Sequence, residues 1–374
     1  MTLGATTWPW SGKATSAATQ PLPGVSRVAR SSDTVITSPR PFFVPLNGQG
    51  PSLSSTHVVW TATNGEGVSG SEDDRIFAAD LKTKHVDVVV HSVYGANGII
   101  GSYVLAGMSL AYVDTGFTTG GILPWRVDIV DLKTKHVFMA ATLAAGVRAR
   151  IPPQIAYDGT HLLILETADA PAAASTTRGA VGRTRGTVVL YSTTTHQSKV
   201  LTSALDVLYG DPALATGTAL WTTTIYTSRL TSALTTYDLA RHVLGVLPVG
   251  IVSQTAAGGD SIVWKTGLTG VPGLLQFYSL KDRRLLSANL SGTDTGTFPE
   301  VNGSLVSWTD TQGQRIQIYS TAAGRIVYSA SVAPDHHYGL TAIAAGRVVW
   351  VYTVAAIRPG GPPPRGYVVV HTPA

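Results

Sequence analysis

An all-β, seven-bladed β-propeller of four-stranded antiparallel blades is the fold the sequence predicts, on three observations. First, Asp80-Leu81-Lys82-Thr83-Lys84-His85-Val86 recurs almost unchanged as Asp131-Leu132-Lys133-Thr134-Lys135-His136-Val137. Weaker copies follow at Tyr191-Ser192, Tyr237-Asp238-Leu239, Tyr278-Ser279-Leu280, Tyr319-Ser320-Thr321 and Val370-His371-Thr372, so the marker position occurs seven times, at intervals of 41 to 61 residues. Second, an apolar triplet ending in an aromatic runs in phase with it: Val58-Val59-Trp60, Ala219-Leu220-Trp221, Ile262-Val263-Trp264, Val306-Ser307-Trp308 and Val348-Val349-Trp350. Leu110-Ala111-Tyr112 and Leu163-Ile164-Leu165 fill the two remaining places. Third, the segments are rich in Val, Ile, Thr, Tyr and Trp, which suit a pleated surface, and none of length carries a helical apolar period. Four-strand units of this length close radially, burying each sheet against the next.

The elements follow in order. Each unit reads as strand A, a Gly turn (Gly217, Gly259, Asn302-Gly303, Gly346), strand B with its aromatic, a loop, strand C ending at the marker, a tight turn, and strand D. The marker Asp or Ser suits a tight turn because its side chain accepts bonds from amides just ahead of it. The aromatic belongs to packing between blades. The last unit is short: only Thr372-Pro373-Ala374 follow His371, too few for a strand D. Residues 33–46, with Val35-Ile36 and Phe42-Phe43-Val44, are therefore expected to close the ring beside the final blade. Residues 1–32, rich in Thr, Ser, Ala and Pro, read as a flexible leader carrying Trp8 and Trp10, and 33–374 as a single propeller domain.

The apolar-apolar-Trp strand followed by a Tyr-Asp-Leu or Tyr-Ser-Leu strand end resembles the repeats of TolB-like and WD-type propellers, over about residues 50 to 371. The resemblance implies the fold and no particular activity.

Composition narrows the function. The 374 residues are 44% hydrophobic and 13% charged, with no cysteine and a net charge of +5. That excludes thiolate chemistry, disulfides and cysteine-held metals. Five surplus charges without dense basic runs do not make a nucleic-acid footprint, and no apolar stretch reaches the length of a membrane span. The Gly-x-Ser-x-Gly elbow, the phosphate-binding Gly-x-x-x-x-Gly-Lys and the His-Glu-x-x-His motif are absent, and no second domain large enough to supply chemistry is expected.

A site is expected on the face carrying the B–C and D–A connections, where the length variation lies. The D–A connections bring Gln49, Asn97, Gln154, Asp211, Gln254, Glu300 and His337 towards the axis as phase-matched polar candidates. Arg178, Arg183 and Arg185, in the loop between Glu166 and Arg185, are candidates for an anionic partner. His85, His136, His196 and His242 fall at the C–D turn and are explained by the repeat, whereas His336-His337 sits beside Asp335 and Tyr338 near the predicted mouth. Glu72-Asp73-Asp74 lacks the spacing of a calcium loop and reads as an acidic turn. Arg358 to Arg365 reads as a polyproline-like connector.

The expectation that results is a non-enzymatic binding or scaffold propeller with a protein or glycan partner and no cofactor or metal. The rival readings are a propeller lyase or hydrolase using His337 with Glu300 or Asp211, and a self-assembling homo-oligomeric subunit of a cell-envelope assembly. The Thr, Ser and Gly content suits a cell-envelope or extracellular location, with the cytoplasm as the alternative.

Overall fold

The computed structural model describes residues 33–39, 50–61, 74–95, 98–116, 124–145, 147–170, 183–226, 230–247, 249, 252–266, 274–286, 297–309, 315–331, 336–354 and 365–373. The chain begins with β1 (Thr34–Thr37). Blade 1 holds β2 (Ser52–Leu53), β3 (His57–Thr61), β4 (Arg75–Asp80) and β5 (Val86–His91). Blade 2 holds β6 (Gly98–Ala106), β7 (Ser109–Gly116), β8 (Trp125–Asp131) and β9 (Val137–Thr142). Blade 3 holds β10 (Ala149–Tyr157), β11 (His161–Asp169), β12 (Thr184–Ser192) and β13 (Gln197–Leu205). Blade 4 holds β14 (Val207–Ala215), β15 (Thr218–Tyr226), β16 (Leu230–Asp238) and β17 (Val243–Leu247). Blade 5 holds β18 (Val252–Gly258), β19 (Ser261–Thr266), β20 (Leu275–Ser279) and β21 (Arg284–Leu286). Blade 6 holds β22 (Thr297–Asn302), β23 (Leu305–Thr309), β24 (Arg315–Ser320) and β25 (Arg325–Ser331). Blade 7 holds β26 (His336–Ala344), β27 (Arg347–Val354) and β28 (Arg365–His371).

Seven four-stranded sheets result, six of them in simple sequential order and the seventh in the order β1-β28-β27-β26. The N-terminal strand therefore supplies the strand that blade 7 lacks. It pairs antiparallel with β28 from Thr34 opposite Val370 to Thr37 opposite Tyr367. The closing strand is shorter than the 33–46 expected; Phe42-Phe43-Val44 lie outside the described residues, as does the leader 1–32. A buried contact fastens the closure, with His371 Nδ1 2.7 Å from Asp33 Oδ1.

The core is divided among the junctions between blades. Each hydrophobic cluster draws on two adjacent sheets: Trp264 of blade 5 packs with Leu220 and Leu234 of blade 4, and Trp308 of blade 6 packs with Val263 and Phe277 of blade 5. The junction that closes the ring joins Ile36, Val349 and Val368 to Trp60 and Phe77. Trp60, Trp221, Trp264, Trp308 and Trp350 are all fully buried. One such ring buries on the order of 200 Å², roughly 5 kcal/mol of transfer free energy before entropy is subtracted.

The turns follow the sequence markers. Gly217, Gly259, Gly303 and Gly346 each adopt positive φ at the A–B turn. In the C–D turn the marker carboxylate accepts from the amides two and three residues on, as Asp131 does from Lys133 and Thr134 at 3.0 and 2.7 Å. The residue four past the marker (Lys84, Lys135, His196, His242, Arg283, Gly324) takes the left-handed conformation that closes the turn. His196 and His242 are then held by Tyr191 and Tyr237 hydroxyls at 2.9 and 3.0 Å, a structural role.

Candidate functional site

In a propeller the first strand of each blade presents its free edge to the axis. Here these edges are broken by bulges: the register with strand B shifts between Ile100 and Tyr103, Ile151 and Gln154, Gly210 and Ala213, Ser253 and Ala256, Thr297 and Glu300, and Tyr338 and Thr341. A bulge bends the strand and re-aims its side chains. Asp211, Gln254 and Phe298 occupy the same place in three successive bulges, all with φ near +50° (48°, 53° and 51°). A bulky residue such as Phe298 is uncommon in that region.

The bulges let polar side chains reach from one blade to the next. Ser52 Oγ accepts from the Leu105 amide at 2.9 Å, Ser102 Oγ from Ile155 at 3.4 Å, Gln154 Oε1 from Asp211 at 2.9 Å, and Gln254 Oε1 from Phe298 at 3.0 Å. The Asp211 carboxylate accepts from the Gln254 and Thr255 amides and from the Thr222 hydroxyl. Ser307 Oγ lies 2.7 Å from Thr341 Oγ1 across the junction of blades 6 and 7. Blades 1 to 7 are thus stapled in sequence around the axis. Burial pushes the Asp211 carboxyl up against the pull of its donors.

Inside this ring lies a cavity of about 680 Å³ to which all seven innermost strands contribute. Its lining runs from Gly50 and the bulges (Ser102, Gln154, Asp211, Gln254, Phe298) to the A–B turns (Asp158, Thr216, Gly259, Asn302). The described channel therefore reaches the short-turn face, whereas the sequence reading looked to the opposite one. Glu300, two residues beyond the bulge, lines it with no hydrogen bond or ion pair among the described residues, and burial pushes its carboxyl up to about 8.

The candidates named from the sequence separate as follows. Gln154, Asp211, Gln254 and Glu300 converge on the channel, though not in one phase. Register places Asp211 level with Gln254, Gln154 one residue further along and Glu300 two further, because the bulges displace the count. Gln49, Asn97 and Arg178 lie outside the described residues. His337 lies in β26 opposite Thr353, three residues before Leu340 of the lining, and its side chain is outside the described set. Arg183 is committed to Asp206 at 2.6 Å, while Arg185 lies exposed on β12. The loop expected from Glu166 to Arg185 is shorter, since β11 runs on to Asp169 and β12 begins at Thr184. Asp74 forms a two-pronged pair with Arg75, both contacts 3.0 Å.

Two buried features escaped the sequence reading. Asp114, fully buried, accepts from Ser92 Oγ at 2.6 Å and the Val93 amide at 2.7 Å, and beside it Arg126 pairs with buried Asp128 at 2.7 Å. This network ties the end of blade 1 to blade 2. Lys265 is fully buried and its Nζ has no hydrogen-bond partner among the described residues; burial lowers its pKa. Neither motif has a local signal, because each depends on which blade packs against which. Among the described residues no group of three or more His, Asp or Glu is placed to hold a metal, and no helix is long and apolar enough to cross a membrane.

No protein-family model matches the chain, and no curated protein resembles it significantly in sequence. Solved structures do match. An acylaminoacyl peptidase in complex with Z-Gly-Gly-Phe-chloromethyl ketone superposes at TM-score 0.60, with 12% identity, over 90% of this chain and 51% of that one. The β-propeller domain of the trilobed protease from Pyrococcus furiosus superposes at 0.56, with 11% identity, over 81% of this chain and 90% of that one. TolB from Acinetobacter baumannii gives 0.45, with 14% identity, over 78% and 65% of the two chains. The likeness is one of fold. The chain spans about half the length of the peptidase. The Pyrococcus domain is described as having an open velcro topology, whereas β1 closes the ring here.

Proposed function

We propose that the protein is a non-enzymatic binding propeller that takes one group of a protein or glycan partner into its axial channel. The observation that carries this reading is the channel itself, a volume within the range of small-molecule sites that all seven blades wall with polar groups. Catalysis by His337 with Glu300 or Asp211 is the weaker reading. The Asp211 carboxylate is held by two amides and a hydroxyl of the ring, which leaves Glu300 as the carboxyl available to such a pair. What favours the rival is that Glu300 is poised near neutral pH, as a general acid requires.

Asn302 is exposed at the channel mouth, so Asn302→Trp obstructs the entrance while sparing the core. Ligands found by thermal-shift screening of glycan fragments and short peptides are expected to lose their effect on this variant, with the melting temperature of the free protein unchanged. Full retention of binding by Asn302→Trp, together with its loss on deleting residues 171–182, would move the site to the loop-rich face and overturn the channel reading.

A further inference from the structure

The described lining of the channel carries Asp158, Asp211 and Glu300 and no lysine or arginine, although the whole chain has a net charge of +5. Two of these carboxylates are already used. Asp158 accepts from the Thr160 and His161 amides at 2.7 and 2.6 Å, and Asp211 accepts from Gln254 and Thr255. Glu300 is not. In its ionised form this carboxyl, walled by seven sheets and without a counter-charge among the described residues, sets up a negative potential that its low-dielectric surroundings focus.

One further feature of the same wall points to the chemistry that would answer it. Phe298, two residues before Glu300 on β22, lines the cavity with 38% of its surface exposed, an unusual state for a phenylalanine so near the axis. An exposed aromatic ring that lines the same cavity as a carboxyl group attracts an organic cation by its quadrupole while the ionised carboxylate attracts it by charge. A divalent metal does not suit this arrangement, because it requires about six oxygen ligands and usually several carboxylates, while the described residues offer no such group.

We infer that the axial channel binds an organic cation, a guanidinium or alkylammonium group, against the Glu300 carboxylate and the Phe298 ring. The inference rests on the channel being the binding site and adds the charge of what enters it. A guanidinium suits best, since it is weakly hydrated, pairs with a carboxylate through two parallel bonds and stacks on an aromatic face. Binding is coupled to a proton. Burial holds Glu300 largely protonated at pH 7, with its carboxyl pushed up to about 8; the entering cation favours the ionised form, so the proton leaves to solvent as the complex forms. The other titratable groups of the neighbourhood are Asp211 and Asp158 across the channel, Lys265 on β19, and His336, His337 and Tyr338 at the start of β26.

The test is calorimetry with the full chain, using arginine amide as the probe and citrulline amide as its neutral counterpart, both with the α-amino group acetylated so that the guanidinium is the only charge that differs. Arginine amide is expected to bind at least tenfold more tightly than citrulline amide. Glu300→Gln should remove that preference, and Phe298→Leu should weaken arginine amide several-fold. Repeating the titration in buffers of different ionisation enthalpy should show release of close to one proton at pH 7, with affinity rising with pH and levelling above about 8. A Gly-Gly-Arg-Gly-Gly peptide separates the sources of the cation: tighter binding of the peptide assigns it to a partner's arginine, tighter binding of the amide to a free small molecule, and either supports the inference. Equal binding of both amides, or an unchanged preference in a folded Glu300→Gln, would overturn the cation while leaving the channel as the site. Failure of Asn302→Trp to weaken any ligand would remove the channel itself.

Discussion

Glu300 is a carboxyl held in a place where its charged form has little to gain. Its cross-strand partner is Ser307, whose hydroxyl is spent on Thr341, so the carboxyl is desolvated without being bonded. Burial raises it to about 8 from an ordinary value near 4.5. Between those two values the folded state holds a proton that the unfolded chain has released, so stability is fullest below pH 4.5 and declines as pH rises through 8. Glu300→Gln lacks this titration. Urea denaturation at pH 4, 7 and 9 is expected to show the variant gaining on the parent by up to a few kcal/mol as pH rises; parallel curves would contradict it. Asp211 differs because the fold gives it donors, so its side chain belongs to the ring as well as to the cavity wall.

Closure of the ring depends on a four-residue strand, and four residues of backbone pairing are weak support for a joint between chain ends. The compensation is in the side chains. Ile36 enters the cluster between blades 7 and 1, and Asp33 meets His371 in a contact whose two side chains are 0% and 6% exposed. Tyr328 packs against that imidazole at a tilt of 35°, ring centroids 4.2 Å apart. Truncating one member of a buried polar pair leaves the other unpaired, which costs about 3 kcal/mol or more. Asp33→Ala is therefore expected to lower stability by that order and to speed amide exchange in Tyr367–Val370. Freed of β1, the valine-rich β28 becomes an apolar sheet edge, an invitation to intermolecular pairing. Concentration-dependent light scattering should then appear in the variant and not in the parent. An unchanged exchange rate at Val368 and Val370 would show that the closure does not need Asp33.

At the scale of the whole molecule, stability is shared around a circle of junctions, each made from the faces of two neighbouring blades. A tryptophan at one junction is therefore expected to report on the entire ring. Trp264→Ala should cost about 3–5 kcal/mol, the range for emptying a buried aromatic site, and denaturation should remain a single transition. Trp264→Phe should cost much less, because the indole Nε1 has no hydrogen-bond partner among the described residues and only its volume is lost. Two separate transitions in Trp264→Ala, followed by near-ultraviolet dichroism and by urea-dependent fluorescence, would mean that the blades unfold in groups.

The sequence by itself determined the number of blades, the strand order within each, the glycine and Asp turns and the need for a donated closing strand. These are periodic, local signals: Gly217 needs only its own backbone conformation, Asp131 binds amides two and three residues ahead, and the tryptophan of Trp221 recurs in five of the seven blades, where a bulky ring fills the junction. The tertiary structure alone decided which polar residues share the axis and which of them keep a free group. Bulges shift Gln154, Asp211 and Glu300 out of one phase, a displacement that residue counting misses. Whether a carboxylate is stapled or stranded depends on which amide the next blade presents to it, and that is set by the packing of segments far apart in the chain, as in the inter-blade bonds that span 57 and 44 residues.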